Sequence, residues 1–91
     1  MGLYLMFGKY NPGSLQEISS ERTEKAEELI KSNGGTVKNC YALLGRSDLL
    51  FIVELPDNAS AVKTSVDLGK NFGISFATTP VVTIEEFDKM F

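Results

Sequence analysis

Two strand-length segments, Leu3-Tyr4-Leu5-Met6-Phe7 and Leu49-Leu50-Phe51-Ile52-Val53-Glu54-Leu55, are apolar at nearly every position. Successive side chains of a strand point to opposite faces. In the first segment Leu3, Leu5 and Phe7 point one way, and Tyr4, Met6 and Gly8 the other. In the second, Leu49, Phe51, Val53 and Leu55 oppose Leu50, Ile52 and Glu54. A sheet wet on one side would alternate apolar with polar residues. Here both faces ask for cover, and the rest of the chain must supply it.

The rest of the chain supplies two helices and two more strands. Lys9 to Gly13 carry a turn signal. Ser14-Leu15-Gln16-Glu17 has the capping-box pattern and predicts a helix start, with a restart at Ser20-Glu21 because Ser19-Ser20 are poor helix formers. Leu15, Ile18, Ala26, Leu29 and Ile30 form its apolar stripe, and Glu17, Glu21, Glu24, Lys25, Glu27, Glu28 and Lys31 its wet side. Asn33-Gly34-Gly35 stops it. Thr36 to Leu44 read as a strand, and Gly45-Arg46-Ser47-Asp48 as a hairpin turn. After the second apolar segment, Pro56-Asp57-Asn58 breaks the strand, and Asp57 or Asn58 can cap a second helix. Ala61, Val62, Ser65, Val66, Leu68 and Gly69 form its expected inner face. Asn71-Phe72-Gly73 ends it, Ile74 to Val82 read as the last strand, and Thr83 caps a final turn.

The order is βαββαβ. It predicts a single α+β domain over residues 1–91, with a four-stranded antiparallel sheet of ferredoxin-like type and two helices on one face. The second sheet face then needs a partner, and another copy of the chain is the simplest one. A homodimer or higher homo-oligomer through the open face is the expectation. Phe87, Met90 and Phe91 also need a home, on the partner subunit or along the sheet edge.

Charge and composition narrow the function. Nine basic residues are scattered among twelve acidic ones, for a net charge of −3, so no stripe follows a phosphate backbone and nucleic-acid binding is not expected. There is no histidine, which excludes histidine-built zinc or haem sites and histidine triads. No metal site or cofactor is expected. Cys40 is alone, so no intrachain disulfide forms, in keeping with a reducing cytoplasm. The first residues lack a basic leader, and their apolar run is too short for a signal peptide or a membrane span. A cytoplasmic protein without membrane contact is expected.

Each candidate for chemistry has a plainer structural role. Arg46 can bind an anion beside Asp48, or Asp48 accepts backbone N–H bonds in the turn while Arg46 is solvated or pairs across subunits. Glu54 is the only charge in an apolar strand. In a pocket it could act as a general base, whereas at a strand end it pairs with Arg22, Arg46 or a lysine. Tyr4, Tyr10 and Tyr41 can hydrogen-bond a ligand between helices and sheet, or simply pack. Cys40 lacks a histidine to activate it and reads as a small buried hydrophobe. The glutamate-rich helix face lacks the ligand geometry of a calcium loop.

The residues in this order resemble the GYD-domain family, small bacterial and archaeal proteins of largely uncharacterised function. The likeness runs the whole chain. Tyr4 opens the first strand, and Tyr10-Asn11-Pro12-Gly13 sits where the family has an aromatic residue and a glycine turn. Ser20-Glu21-Arg22 matches its helix start, and Gly34-Gly35 its double glycine. Leu44-Gly45-Arg46-Ser47-Asp48 matches its signature, and Val53-Glu54-Leu55-Pro56-Asp57, Gly73 and Glu85-Glu86-Phe87 follow in register. One position departs: Ser47 stands where the signature has tyrosine. The family is similar to dimeric α/β-barrel proteins, which implies two sheets packed face to face. Two functional classes follow. One is a homo-oligomeric small-molecule-binding or regulatory module, with Arg46, Asp48, Tyr4 and Tyr10 as ligand contacts. The other is a cofactor-independent oxygenase or isomerase with Glu54, Arg46 or Tyr41 in the pocket. Relatives of that barrel type often use histidine, so its absence favours the binding module.

Overall fold

A computed structural model describes residues 1–91. Strand β1 spans Gly2–Tyr10, helix α1 Ser20–Ser32, β2 Thr36–Ala42, β3 Leu49–Leu55, α2 Asn58–Phe72, β4 Ile74–Val81 and α3 Ile84–Asp88. The sheet order is β2-β3-β1-β4, and every neighbouring pair is antiparallel. This is the ferredoxin-like fold expected from the element order. No helix is long and apolar enough to cross a membrane.

The face assignment in the two central strands holds. Tyr4 and Met6 of β1 and Phe51, Val53 and Leu55 of β3 are buried under the helices, where Ala26 and Ile30 of α1 and Ala61 and Leu68 of α2 meet them. Phe76 of β4 closes one side, its ring 5.6 Å from that of Phe51. Residues paired across antiparallel strands share a face. Leu3, Leu5 and Phe7 therefore stand on the other face with Leu50, Ile52, Tyr41, Ala77, Thr79 and Val81. No helix covers that face.

Several local expectations change. Ser14 does not cap a helix; its hydroxyl donates to the Phe72 carbonyl at 2.7 Å, and residues 15–17 form only a 3-10 turn. A tertiary bond to the end of α2 wins over the local cap. Leu15 and Ile18 are exposed as a result. Helix α1 starts at Ser20, with the Ser19 hydroxyl accepting from the Arg22 N–H at 3.1 Å. On α2 the inner stripe is Ala61, Thr64 and Leu68, while Val62 and Val66 are exposed. The Asn33 side chain bonds the buried Thr64 hydroxyl at 3.0 Å, which lets a polar residue occupy that inner position. Strand β2 ends at Ala42, because the Leu43 N–H turns to the Asp48 carbonyl at 2.8 Å and Leu44 swings into solvent. Cys40 is exposed on this edge strand, not buried.

Two glycines do specific work. Gly73 takes φ 66° to end α2 in a left-handed cap. Gly35 lets β2 start against the core, where a Cβ would lie 2.6 Å from Leu55 and 2.9 Å from the Glu54 carbonyl.

Candidate functional site

A groove of about 420 Å³ runs between α2 and β4 on the helix side of the sheet. Tyr4, Asn58, Ala61, Val62, Ser65, Val66, Thr78 and Pro80 line it. Its position follows from the α2 sequence. Ala61 packs into the core and Ser65 reaches Thr78 of β4, while Val62 and Val66 are left exposed on the outer flank. Strand β4 is a sheet edge and forms the other wall. Pro80 has no N–H to offer a ladder, which suits an edge position.

The groove's polar groups are held in place. The Tyr4 hydroxyl donates to Asn58 Oδ1 at 2.7 Å. Ser65 Oγ donates to the Ala61 carbonyl at 2.9 Å and lies 2.6 Å from Thr78 Oγ1. Asn58 is the first residue of α2, behind the Asp57 cap, whose carboxylate accepts from the Ser60 N–H at 2.8 Å. That bond holds the Asp57 carboxyl below its ordinary value of 3.8. Asp67, further along α2, is also lowered, by hydrogen bonds from Lys63 at 2.6 Å and Asn33 at 3.3 Å. A second depression, between α1 and β2, is lined by Glu24, Glu27, Glu28, Lys31, Gly35, Thr36 and Val37. It belongs to the solvated glutamate-rich face.

The residues singled out in the sequence scatter. Only Tyr4 reaches the groove. Tyr10 lies at the other end of β1, beneath the Arg22 guanidinium, 5.0 Å from its ring centroid. Asp48 accepts the Tyr10 N–H at 2.9 Å and so pins the hairpin turn to β1. Arg46 is exposed in that turn with no ion pair, and only its carbonyl is engaged, by Lys9 at 3.3 Å. Glu54 is on the open face, paired with Lys38 at 3.2 Å across a β-bulge. Tyr41 is on the same face, opposite Leu50. No pocket gathers Glu54, Arg46 and Tyr41. Cys40 lies on the helix face; partial burial of its sulfur and the nearby Glu27 charge raise its pKa from the ordinary 9.0.

Sequence reasoning missed Asn58, Thr78 and Pro80 as groove residues. The available signal was the pairing of β1 with β4. Tyr4 opposite Pro80 and Met6 opposite Thr78 follow once β4 is set antiparallel beside β1.

Solved structures share the fold. The leucine response regulatory protein LrpA of Mycobacterium tuberculosis superposes with a TM-score of 0.64 at 11% identity, over 90% of this chain and 51% of its own. A second solved structure, that of a glutamate-to-alanine mutant, gives 0.66 at 10% identity, over 90% of this chain and 50% of its own. The chain thus spans about half the length of these neighbours. No curated protein sequence matches it. The profile of the GYD domain matches residues 4–91, essentially every element described above, and the chain belongs to the GYD-domain family.

Proposed function

We propose that this protein is a small homo-oligomeric binding or regulatory module. Copies pair through the open sheet face, and a small organic molecule lodges in the α2–β4 groove. The observation that carries this reading is the open face itself. Leu3, Leu5, Phe7, Leu50 and Ile52 form a contiguous apolar surface on the two central strands, with no helix above it. Patches of this kind on soluble domains mark interaction sites. Covering about 700 Å² of apolar surface per chain, at roughly 25 cal/mol per Å², gives a large gross driving force before association costs. The charged exception, Lys38 with Glu54, arrives already paired. The regulatory side of the reading draws on the neighbour named for its leucine response, about half of which this fold matches. The lone exposed thiol supports a reducing, cytoplasmic setting.

Light scattering at micromolar concentration tests the assembly. The expected mass is a multiple of 10.0 kDa, and Ile52→Lys, which sets a charge in the middle of the apolar face, should reduce it to the single-chain value. A single-chain mass for the wild type would overturn the reading.

A further inference from the structure

We infer that the α2–β4 groove selects an uncharged, mainly apolar small molecule with one hydrogen-bond acceptor, such as a carbonyl, received by the Asn58 amide. The inference rests on the reading of that groove as a ligand site.

Charge comes first. None of the eight lining residues is an aspartate, glutamate, lysine or arginine. Lys63, which follows the lining residue Val62 on α2, is already paired with Asp67 at 2.6 Å. A charged ligand would lose water without gaining an ionic partner, which is strongly unfavourable.

The donor inventory comes second. The Tyr4 proton is used on Asn58 Oδ1. The Ser65 proton is used on the Ala61 carbonyl, so in the 2.6 Å contact with Thr78 the Thr78 hydroxyl is the donor. Every hydroxyl proton in the groove is therefore spent inside the protein. The Asn58 amide nitrogen has no protein acceptor, and the Tyr4 bond fixes which side of the carboxamide it occupies. It is the groove's free side-chain donor, so the ligand must bring the acceptor. The bond at Asn58 Oδ1 also holds the amide oriented before any ligand arrives.

The walls come third. Ala61 and Leu68 of α2 are buried, whereas Val62 is 65% exposed and Val66 49%. With Pro80 opposite, they offer apolar surface to the body of the ligand. A volume of about 420 Å³ lies within the usual range for small-molecule sites.

A matched series on one skeleton tests this in the full chain, with backbone amide NMR shifts of residues lining the groove as the readout. The probes are benzylacetone (neutral, one carbonyl), butylbenzene (no acceptor) and hydrocinnamate (an anion). Benzylacetone should shift the groove amides and bind about fivefold tighter than butylbenzene, the usual size of one hydrogen bond. Hydrocinnamate should leave them in place. In Asn58→Asp, which keeps an oxygen to accept the Tyr4 proton but removes the N–H donor, benzylacetone should fall to the affinity of butylbenzene. Val66→Glu, an exposed change that leaves the core intact, should weaken both neutral probes. Equal affinity of benzylacetone and butylbenzene in the wild type would overturn the acceptor, and groove binding by hydrocinnamate would overturn the neutral class; either leaves the groove a ligand site. Failure of all three probes to move the groove amides would overturn the site itself.

Discussion

The Arg22 guanidinium lies over the Tyr10 ring and also donates to the Ser14 carbonyl at 2.7 Å and the Ser14 hydroxyl at 3.0 Å. Ser14 in turn donates to Phe72. One side chain of α1 thus ties together the end of β1, the loop after it and the end of α2. Removing it in Arg22→Ala should cost about 2 kcal/mol, since hydrogen bonds from a charged donor and a cation–π contact are lost together. Arg22→Lys should recover little of this, because an ammonium cannot stack flat and bond two oxygens at once. Urea unfolding followed by circular dichroism measures both.

Gly35 sits where β2 approaches the core most closely. In Gly35→Ala the new methyl would meet Leu55, the Glu54 carbonyl and Ile30, all at under 3 Å. Backbone cannot yield cheaply, so a loss of about 1–3 kcal/mol is expected. Gly13→Ala meets nothing within 4 Å and serves as the neutral control. Melting temperatures of the two variants should separate clearly.

Asp57 and Asp67 make stability depend on acid. Both have folded pKa values below the ordinary 3.8. A depressed carboxyl stabilises the fold above its unfolded value, and that contribution disappears as pH falls through the folded value. Stability should therefore be flat above about pH 5 and decline below about pH 4. Asp57→Asn keeps a side-chain oxygen for the cap but cannot titrate, so its acid decline should be shallower than the wild type's. Denaturation midpoints across that range check the sign.

The Cys40 thiol has a raised pKa, from partial burial first and the Glu27 charge second. Less thiolate at a given pH means slower alkylation. Iodoacetamide at about pH 8 should modify Cys40 more slowly than a free peptide thiol, and Glu27→Gln should speed the reaction about twofold. Mass spectrometry of timed aliquots gives both rates.

The sequence was legible where a pattern had one physical solution. The doubly apolar segments had to be central strands, and Gly34-Gly35 and Gly73 had to end helices. The sequence places the start of α2 at Asp57-Asn58, and the structure gives the cap to Asp57. Ser14 was misread because its hydroxyl had two competing partners, and the winning one, the Phe72 carbonyl, lies 58 residues away. Val62 and Val66 were misread because apolar character alone does not fix the phase of a helix; the Asn33–Thr64 bond does, and that bond is tertiary. The site suffered most. Arg46, Asp48, Glu54 and Tyr41 stood out as unusual side chains, yet Asp48 pins a turn, Glu54 pairs with Lys38, and Arg46 and Tyr41 face solvent. Asn58, which lines the groove, looks in the sequence like an ordinary residue at a helix start.

The strand order has a consequence for how the chain is made. Strand β1 is the earliest of the four to be synthesised, yet it lies between β3 and β4. Its first ladder cannot close until residues 49–55 have emerged, and its second must wait for residues 74–81. Until then Leu3, Leu5, Met6 and Phe7 wait unpaired on the nascent chain. Long loops must close before the most apolar segment is satisfied, which slows folding and leaves a sticky strand open to early misassembly.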